Sequence, residues 1–439
     1  MAARRRSESV LPHAPLELLH PMMVPTGAVP GSEILSEIHS PEGVPLLVLF
    51  RAALQWSHPH ATAPSFDARE IARIETQALS RLSEGGCWPA IAVIANGLAE
   101  PDADRSGLAQ ACFCVAEWAL GHEAHQTGVA FAMLGSLVWP WHPRYAWAAA
   151  RLLRSYGRMR EAESWFARAY RVAVWMEDRV AQAKSLASLG VIAYIGGNHA
   201  RAERRLQRAR KVAARFGLEL VEGEALHDLF VLEMERQRLA LAEEYAALAL
   251  ERYLPRHDRI PALAHDTACL WMNQGQFSRA LPLLQRIAEY MRDPAERFQT
   301  HAATARAAGG VGELEAFRCA CNRAFAIAGS IPANRLRAAA LVDLARGASS
   351  LALWDEARAA FSEALAIAVE RGENDVRFKA EAGLDAVERH AAADAAARSG
   401  RCEKSGRDEV AELLIHGVRL VRTKERPRGD APPAPLVAA

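Results

Sequence analysis

The sequence predicts an all-α protein, a solenoid of antiparallel helix pairs. Alanine, leucine, arginine and glutamate dominate its 439 residues, and most are strong helix formers. Runs of alternating β-branched and aromatic residues, the mark of strands, are absent. One short motif also recurs about every 38–40 residues in the central part of the chain. At this length a single core is not expected, so the chain forms either several domains or an elongated repeat array.

The motif starts with a glycine or other turn residue. A small residue follows, then a bulky apolar residue four positions later, and usually a small or apolar one three after that. Copies are Gly157, Ala162, Phe166, Ala169; Gly197, Ala202, Leu206, Ala209; Ala242, Ala246, Ala249; Gly275, Ala280, Leu284, Ile287; and Ala357, Phe361, Ala364. Glycine ends one helix and opens the turn. The small residue lets two antiparallel helices approach, and the residues four and seven later share its stripe. Ala162, Ala202, Ala242 and Ala280 are spaced by 40, 40 and 38 residues. Weaker copies at Ala316 and upstream at Ala124 and Ala90 bring the expectation to about eight helix pairs between residues 67 and 372. The partner helices precede the turns, at 145–156, 180–195, 223–236 and 260–274.

Leu186, Leu189 and Gly190 ahead of Gly197, followed by the G-x-x-x-x-A turn, resemble the tetratricopeptide repeat over about 300 residues. The chain departs from that family's 34-residue period by four to six residues per repeat and mostly lacks its closing proline. Longer repeats of this kind are similar to arrays in large bacterial transcriptional regulators and other bacterial repeat proteins. The resemblance implies a right-handed superhelical solenoid whose first helices line an inner surface that holds proteins or peptides.

Outside the array, residues 1–32 are rich in proline, arginine and serine, and no fold is expected there. Residues 33–66 should form capping helices, with Ser40-Pro41-Glu42 opening one that runs to Trp56, and then a loop (HPHATAPSF). Residues 373–398 read as a polar capping helix. Residues 399–439 read as a linker, an amphipathic helix at 408–422, and an unfolded tail.

Fifty-three basic and 52 acidic residues give a net charge of +1, which provides no global attraction to nucleic acid or anionic membrane. The start of the chain is a poor signal peptide, and no apolar run is long enough to span a bilayer. Seven scattered cysteines give no disulfide framework and fit a reducing cytoplasm. The Cys112/Cys114 and Cys319/Cys321 pairs point apart on a helix and read as small buried thiols. No phosphate loop, dinucleotide fingerprint, H-E-x-x-H, G-x-S-x-G or C-x-x-C is present. Glu161, Glu163 and Arg168 read as part of a solvated, salt-bridged helix face. No catalytic residue, metal or cofactor is expected.

One constellation survives alignment of the repeats. Fifteen residues before the small anchor lie Trp147, His227, His265 and His301, with Ala187 in the same series; Asp228 and Asp266 follow two of the histidines. Arg144 and Lys184 lie three positions before that offset in their own repeats. On the resemblance, this row faces the inner surface and binds a protein or peptide partner through Arg144, Trp147, Lys184, His227, Asp228, His265, Asp266 and His301. The same His-Asp pairs also suit bonding between adjacent helix pairs. The leading expectation is a non-catalytic interaction scaffold, the partner-binding or sensory part of a bacterial regulatory system. Two alternatives stand beside it: a transcriptional regulator acting through a partner or the basic C-terminal helix, and an enzyme using the His/Asp row.

Overall fold

A computed structural model describes residues 31–39, 43–57, 86–100 and 103–389, apart from 256, 292, 330–334 and 372, together with positions 69 and 73. The HPHATAPSF loop, the 408–422 segment and residues 1–30 lie outside the described residues. Eighteen α-helices and no strand occur among those described. No helix there is long and apolar enough to cross a membrane.

The chain divides into two compact units after Asn198. The first contains α1 (Ser32–Glu37), α2 (Gly43–Trp56), α3 (Trp88–Leu98), α4 (Arg105–Gly121), α5 (His125–Val138), α6 (Pro143–Ser155), α7 (Met159–Trp175) and α8 (Arg179–Ile195). The second contains α9 (His199–Arg215), α10 (Glu219–Glu235), α11 (Leu239–Tyr253), α12 (Ile260–Asn273), α13 (Phe277–Ile287), α14 (Pro294–Val311), α15 (Leu314–Ala328), α16 (Arg335–Ser350), α17 (Trp354–Arg371) and α18 (Asn374–Glu388). Within each unit, helices that follow one another in the chain pack together.

The turns set the period. Residues 157, 177, 197, 217 and 237 all have positive φ, so a left-handed residue recurs every 20 positions. After each, the next backbone N–H donates to the carbonyl five residues back, as Asn198 does to Ala193 and Arg238 to Glu233, both at 2.9 Å. This arrangement satisfies the orphan carbonyls at a helix end. Between these turns run four consecutive helices of 17 residues, α7 to α10, each about 25 Å long. The 40-residue repeat is therefore two equal halves. Glycine supplies the left-handed residue at 157, 197, 217, 275 and 312, whereas Glu123, Glu177, Gln237 and Ala352 adopt it without that freedom. At helix starts, Asp104, Asp178 and Asp293 accept hydrogen bonds from first-turn backbone N–H groups.

Five residues after the turn comes the small anchor. Ala162, Ala202, Ala242, Ala280 and Ala357 are all fully buried. The apolar residues four later are buried too, Phe166 and Leu206 among them; truncating such a side chain costs about 2–5 kcal/mol. The turn rule corrects two expected anchors. After Glu123 the anchor is Gly128, against which Leu120 packs, and Ala124 instead belongs to the turn. After Gly312 the anchor is the buried Phe317, and Ala316 stands one residue out of register.

The first helices of two successive pairs meet most closely at α14 and α16. A Cβ added to Gly309 would lie 2.3 Å from the Gly347 carbonyl oxygen, and one added to Gly347 would lie 2.7 Å from that of Ala305. The backbones touch there because neither helix carries a side chain at the crossing.

Candidate functional site

The turn register decides which members of the expected row belong together. Ten residues before each turn stand Trp147, His227 and His265, and in the next pair the position is held by Ala302. His301 is one residue away, about 100° around the helix, and does not continue the row.

Two in-register members clip one first helix to the next. The indole Nε1 of Trp147 donates to Ser188 Oγ at 2.9 Å. His227 Nε2 meets Asp266 Oδ2 at 2.9 Å. In both cases the partner lies one position after the same offset in the following repeat. His265 would meet Ala303 by that rule, and its Nδ1 instead takes Thr300 Oγ1 at 3.3 Å. Asp228 takes Arg259 at 3.3 Å.

These contacts leave the histidines little access to a ligand. His227 is 2% exposed and His265 5%. His227 Nδ1 also lies 3.4 Å from the buried Tyr253 hydroxyl. Burial pushes His265 below the ordinary imidazole value against the pull of Asp266 and Asp343. Burial favours the neutral acid of Asp266, but the hydrogen bond and charge of His227, with His265 and Arg259, hold it below the usual carboxylate value. Cys269 Sγ lies 3.6 Å from His265 Nε2. Burial first, with Asp343 and Asp266, pushes that thiol well up, so the pair is a neutral thiol beside a neutral imidazole and not an activated nucleophile. No group of three or more His, Cys, Asp or Glu able to hold a metal occurs among the described residues.

The remaining row residues are more open. Arg144 is exposed at the start of α6. Lys184 Nζ and Arg151 Cζ lie 5.8 and 5.0 Å from the half-buried Trp147 ring. His301 is half-buried and lines a cavity of about 300 Å³ with Glu289, Cys319 and Arg323. Burial, then the Arg323 and Arg297 charges, lowers its pKa.

Two expectations drawn from the surface pattern are corrected. Arg168 is 1% exposed, and none of its three guanidinium nitrogens has a hydrogen-bond partner. Burial, with Arg171 adding, pushes it down to about 10. Its stripe neighbours Ala162, Trp165, Ala169 and Val172 carry it inward, whereas Glu161 stays exposed with Arg158 at 2.7 Å. Of the paired cysteines only Cys112 is buried, its thiol pushed up to about 12 by burial, while Cys114 and Cys319 are exposed.

The pattern of single helices gave no sign of a cavity of about 650 Å³ that lies wholly within the second unit. Residues from α12, α13, α14, α16, α17 and α18 line it. Met272, Phe277, Phe361 and Phe378 form its apolar part, and Arg306, Arg346 and Lys379 its cationic part, against Asp375. Phe378 is 58% exposed. Arg306 is well compensated, with Asp343 at 3.2 Å and Asn273 at 3.0 Å. Lys379 holds Asp375 at 2.9 Å and Glu235 at 3.3 Å. Arg346 reaches Asp343 only at 3.9 Å, and burial and Arg306 together lower its pKa. Arg346, its side chain 39% exposed, thus has the loosest ion pair of the three cations lining this cavity.

By sequence the chain matches no protein-family model and no curated protein. Among solved structures it is similar to the Rap conjugation gene regulator of plasmid pLS20 in complex with the Phr* peptide, at 10% identity and TM-score 0.44, over 79% of this chain and 96% of that one. It is also similar to the apo form of RapI, at 10% identity and TM-score 0.42, over 78% and 98%. The Cut9–Hcn1 hetero-tetramer of the APC/C matches at 14% identity and TM-score 0.39, over 79% and 57%. On its own geometry of paired helices, left-handed turns and small buried anchors, the chain is a tetratricopeptide-like helical-repeat protein.

Proposed function

We propose that the chain is a non-catalytic scaffold that binds a peptide or a peptide-like protein segment in the cavity of its second unit. The observation that carries this reading is the cavity itself. Its volume of about 650 Å³ falls in the range of ligand sites, about 300–1,000 Å³. The accessible rings of Phe277 and Phe378 supply apolar surface, and Arg346, its own ion pair at 3.9 Å, can take a carboxylate. A short segment with a bulky apolar side chain beside an acidic one satisfies both. The neutral Cys269–His265 pair and the clipped His-Asp residues agree with a role other than chemistry. In the first unit, Arg144, Trp147 and Lys184 are the expected residues that stay accessible to such a segment. His227 and His265 act from behind by holding the first helices in register.

The test is fluorescence polarisation with labelled acidic–apolar peptides and basic–apolar controls. Arg346→Ala should weaken the acidic peptides about tenfold or more, the loss of one charge-assisted hydrogen bond. Phe378→Ala should weaken both sets. Peptides that fail to bind at millimolar concentration, or whose binding ignores both substitutions, would remove this reading.

A second reading, contact with nucleic acid, has one observation in its favour. Helix α9 exposes Arg201, Arg204, Arg208, Lys211 and Arg215 along one face. The neighbouring α11, joined to it by Gln207–Tyr245 at 2.8 Å, exposes Glu243, Glu244 and Glu251, which oppose a polyanion. Steeply salt-dependent DNA binding, lost on Arg204→Glu/Arg208→Glu, would favour it over the scaffold reading.

A further inference from the structure

The cavity under α18 is built as a binding site, and the chain itself carries a segment of matching chemistry. Helix α18 is one wall, contributing Phe378, Lys379 and Gly383. It ends at Glu388, so the chain leaves the array beside the cavity. Beyond it, residues 389–407 are rich in alanine, glycine and charge, and 423–439 in proline and charge. Bulky apolar residues concentrate between them, in DEVAELLIHGVRLVR at 408–422, outside the described residues. On a helix, Val410, Leu413, Leu414, Val418 and Val421 share one face. Asp408, Glu409 and Glu412 open the segment, and Arg419 and Arg422 close it, the order that a helix dipole favours.

We propose that segment 408–422 of the same chain docks into this cavity and occupies it until an external ligand displaces it. The apolar face meets Phe277 and Phe378, and the acidic start meets Arg346. Arg306 and Lys379 already hold Asp343, Asp375 and Glu235 within 3.3 Å, whereas Arg346 reaches Asp343 only at 3.9 Å, so the acidic end has one loosely paired cation to meet and the basic end has none of the lining charges to itself. Nineteen residues separate α18 from Asp408 by way of 389–407, a reach of about 60 Å when extended. A tether of that length holds the segment at an effective concentration on the order of millimolar. Even a weak contact is then substantially occupied, and an external peptide has to compete with it.

This inference rests on the ligand reading of the cavity, and two measurements on the full-length chain separate them. Hydrogen exchange followed by mass spectrometry reads the amides of 409–421. Exchange slowed by tenfold or more in the wild type, and restored to the unprotected rate by Phe378→Ala with Arg346→Ala, supports the proposal. Leu413→Asp/Leu414→Asp, which leaves every residue lining the cavity in place, should likewise abolish protection. It should also tighten an acidic–apolar peptide by about tenfold. Unprotected amides in the wild type overturn the proposal. So does protection that ignores the cavity variants, and so does protection that grows with protein concentration, which means a second copy. If the segment is unprotected while the labelled peptide still binds, the docking fails and the ligand site stands; if the peptide also fails, both fall.

Discussion

Replacing Arg168 with methionine should make the first unit more stable. The guanidinium is 1% exposed, with no hydrogen-bond partner on any nitrogen. Its fall from the ordinary guanidinium value to about 10 converts to about 3 kcal/mol, at roughly 1.4 kcal/mol for each tenfold change. The Trp165 ring, 5.8 Å from Cζ, returns about 0.5–1 kcal/mol of that. Methionine keeps most of the buried stem and removes the charge, so the expected gain is about 2–3 kcal/mol, as apolar replacement of buried charges can give. In a unit of this size the melting point should rise by roughly 5–10 °C. Eight of the ten tryptophans precede Asn198, so tryptophan fluorescence follows this unit as urea or heat unfolds it. Burial depresses the folded pKa, so the penalty is full below about pH 10 and fades only as pH rises from there towards the ordinary guanidinium range. The gain should therefore be the same at pH 6 and pH 8. A loss of more than about 1 kcal/mol in Arg168→Met would show that the guanidinium has a partner, and would refute the reasoning.

Three further outcomes follow from the same geometry. Ala352→Gly and Gln237→Gly, at φ 57° and 58°, should each stabilise the chain by roughly 0.5–1 kcal/mol by thermal shift; a drop in melting point for both would contradict the turn assignment. Gly309→Ala forces a methyl onto the Gly347 carbonyl and should cost about 3 kcal/mol or more, whereas Gly329→Ala, with open space around it, should be neutral or mildly stabilising; equal effects in urea would refute the close crossing. His265 is held below 6.5 in the folded state, so its contribution is full above pH 6.5 and is lost as pH falls and the unfolded chain takes up the proton. His265→Met should thus flatten the fall in urea midpoint between pH 7.5 and 5.5, and an unchanged slope would count against a buried neutral imidazole.

The fold was legible where its causes are local. Gly157, Gly197 and Gly275 mark turns because only glycine takes a left-handed conformation freely, and Ala162, Ala202, Ala242 and Ala280 mark helix contacts because they are small. The expected anchors Ala124 and Ala316 stand four and one residues from Gly128 and Phe317, the positions that the turns set. There the left-handed residue is Glu123, which no composition rule singles out, or the anchor is the large Phe317. One residue of error turns a helix by about 100°; counted from Ala316, His301 therefore joined a row to which Ala302 belongs.

The sequence alone determined that this chain is all-α, that its turns recur, and that Trp147, His227 and His265 hold equivalent positions, because propensity, turn chemistry and periodicity act within about 20 residues. Tertiary structure decided what those residues face. It buried His227 against Asp266 and left Arg168 inside without a partner. It also gathered Arg306, Arg346, Lys379 and three aromatic rings from five helices into one cavity. Burial and charge compensation depend on side chains brought in from far along the chain, as Lys379 is to Glu235, 144 positions away, and no pattern along a single helix encodes that meeting.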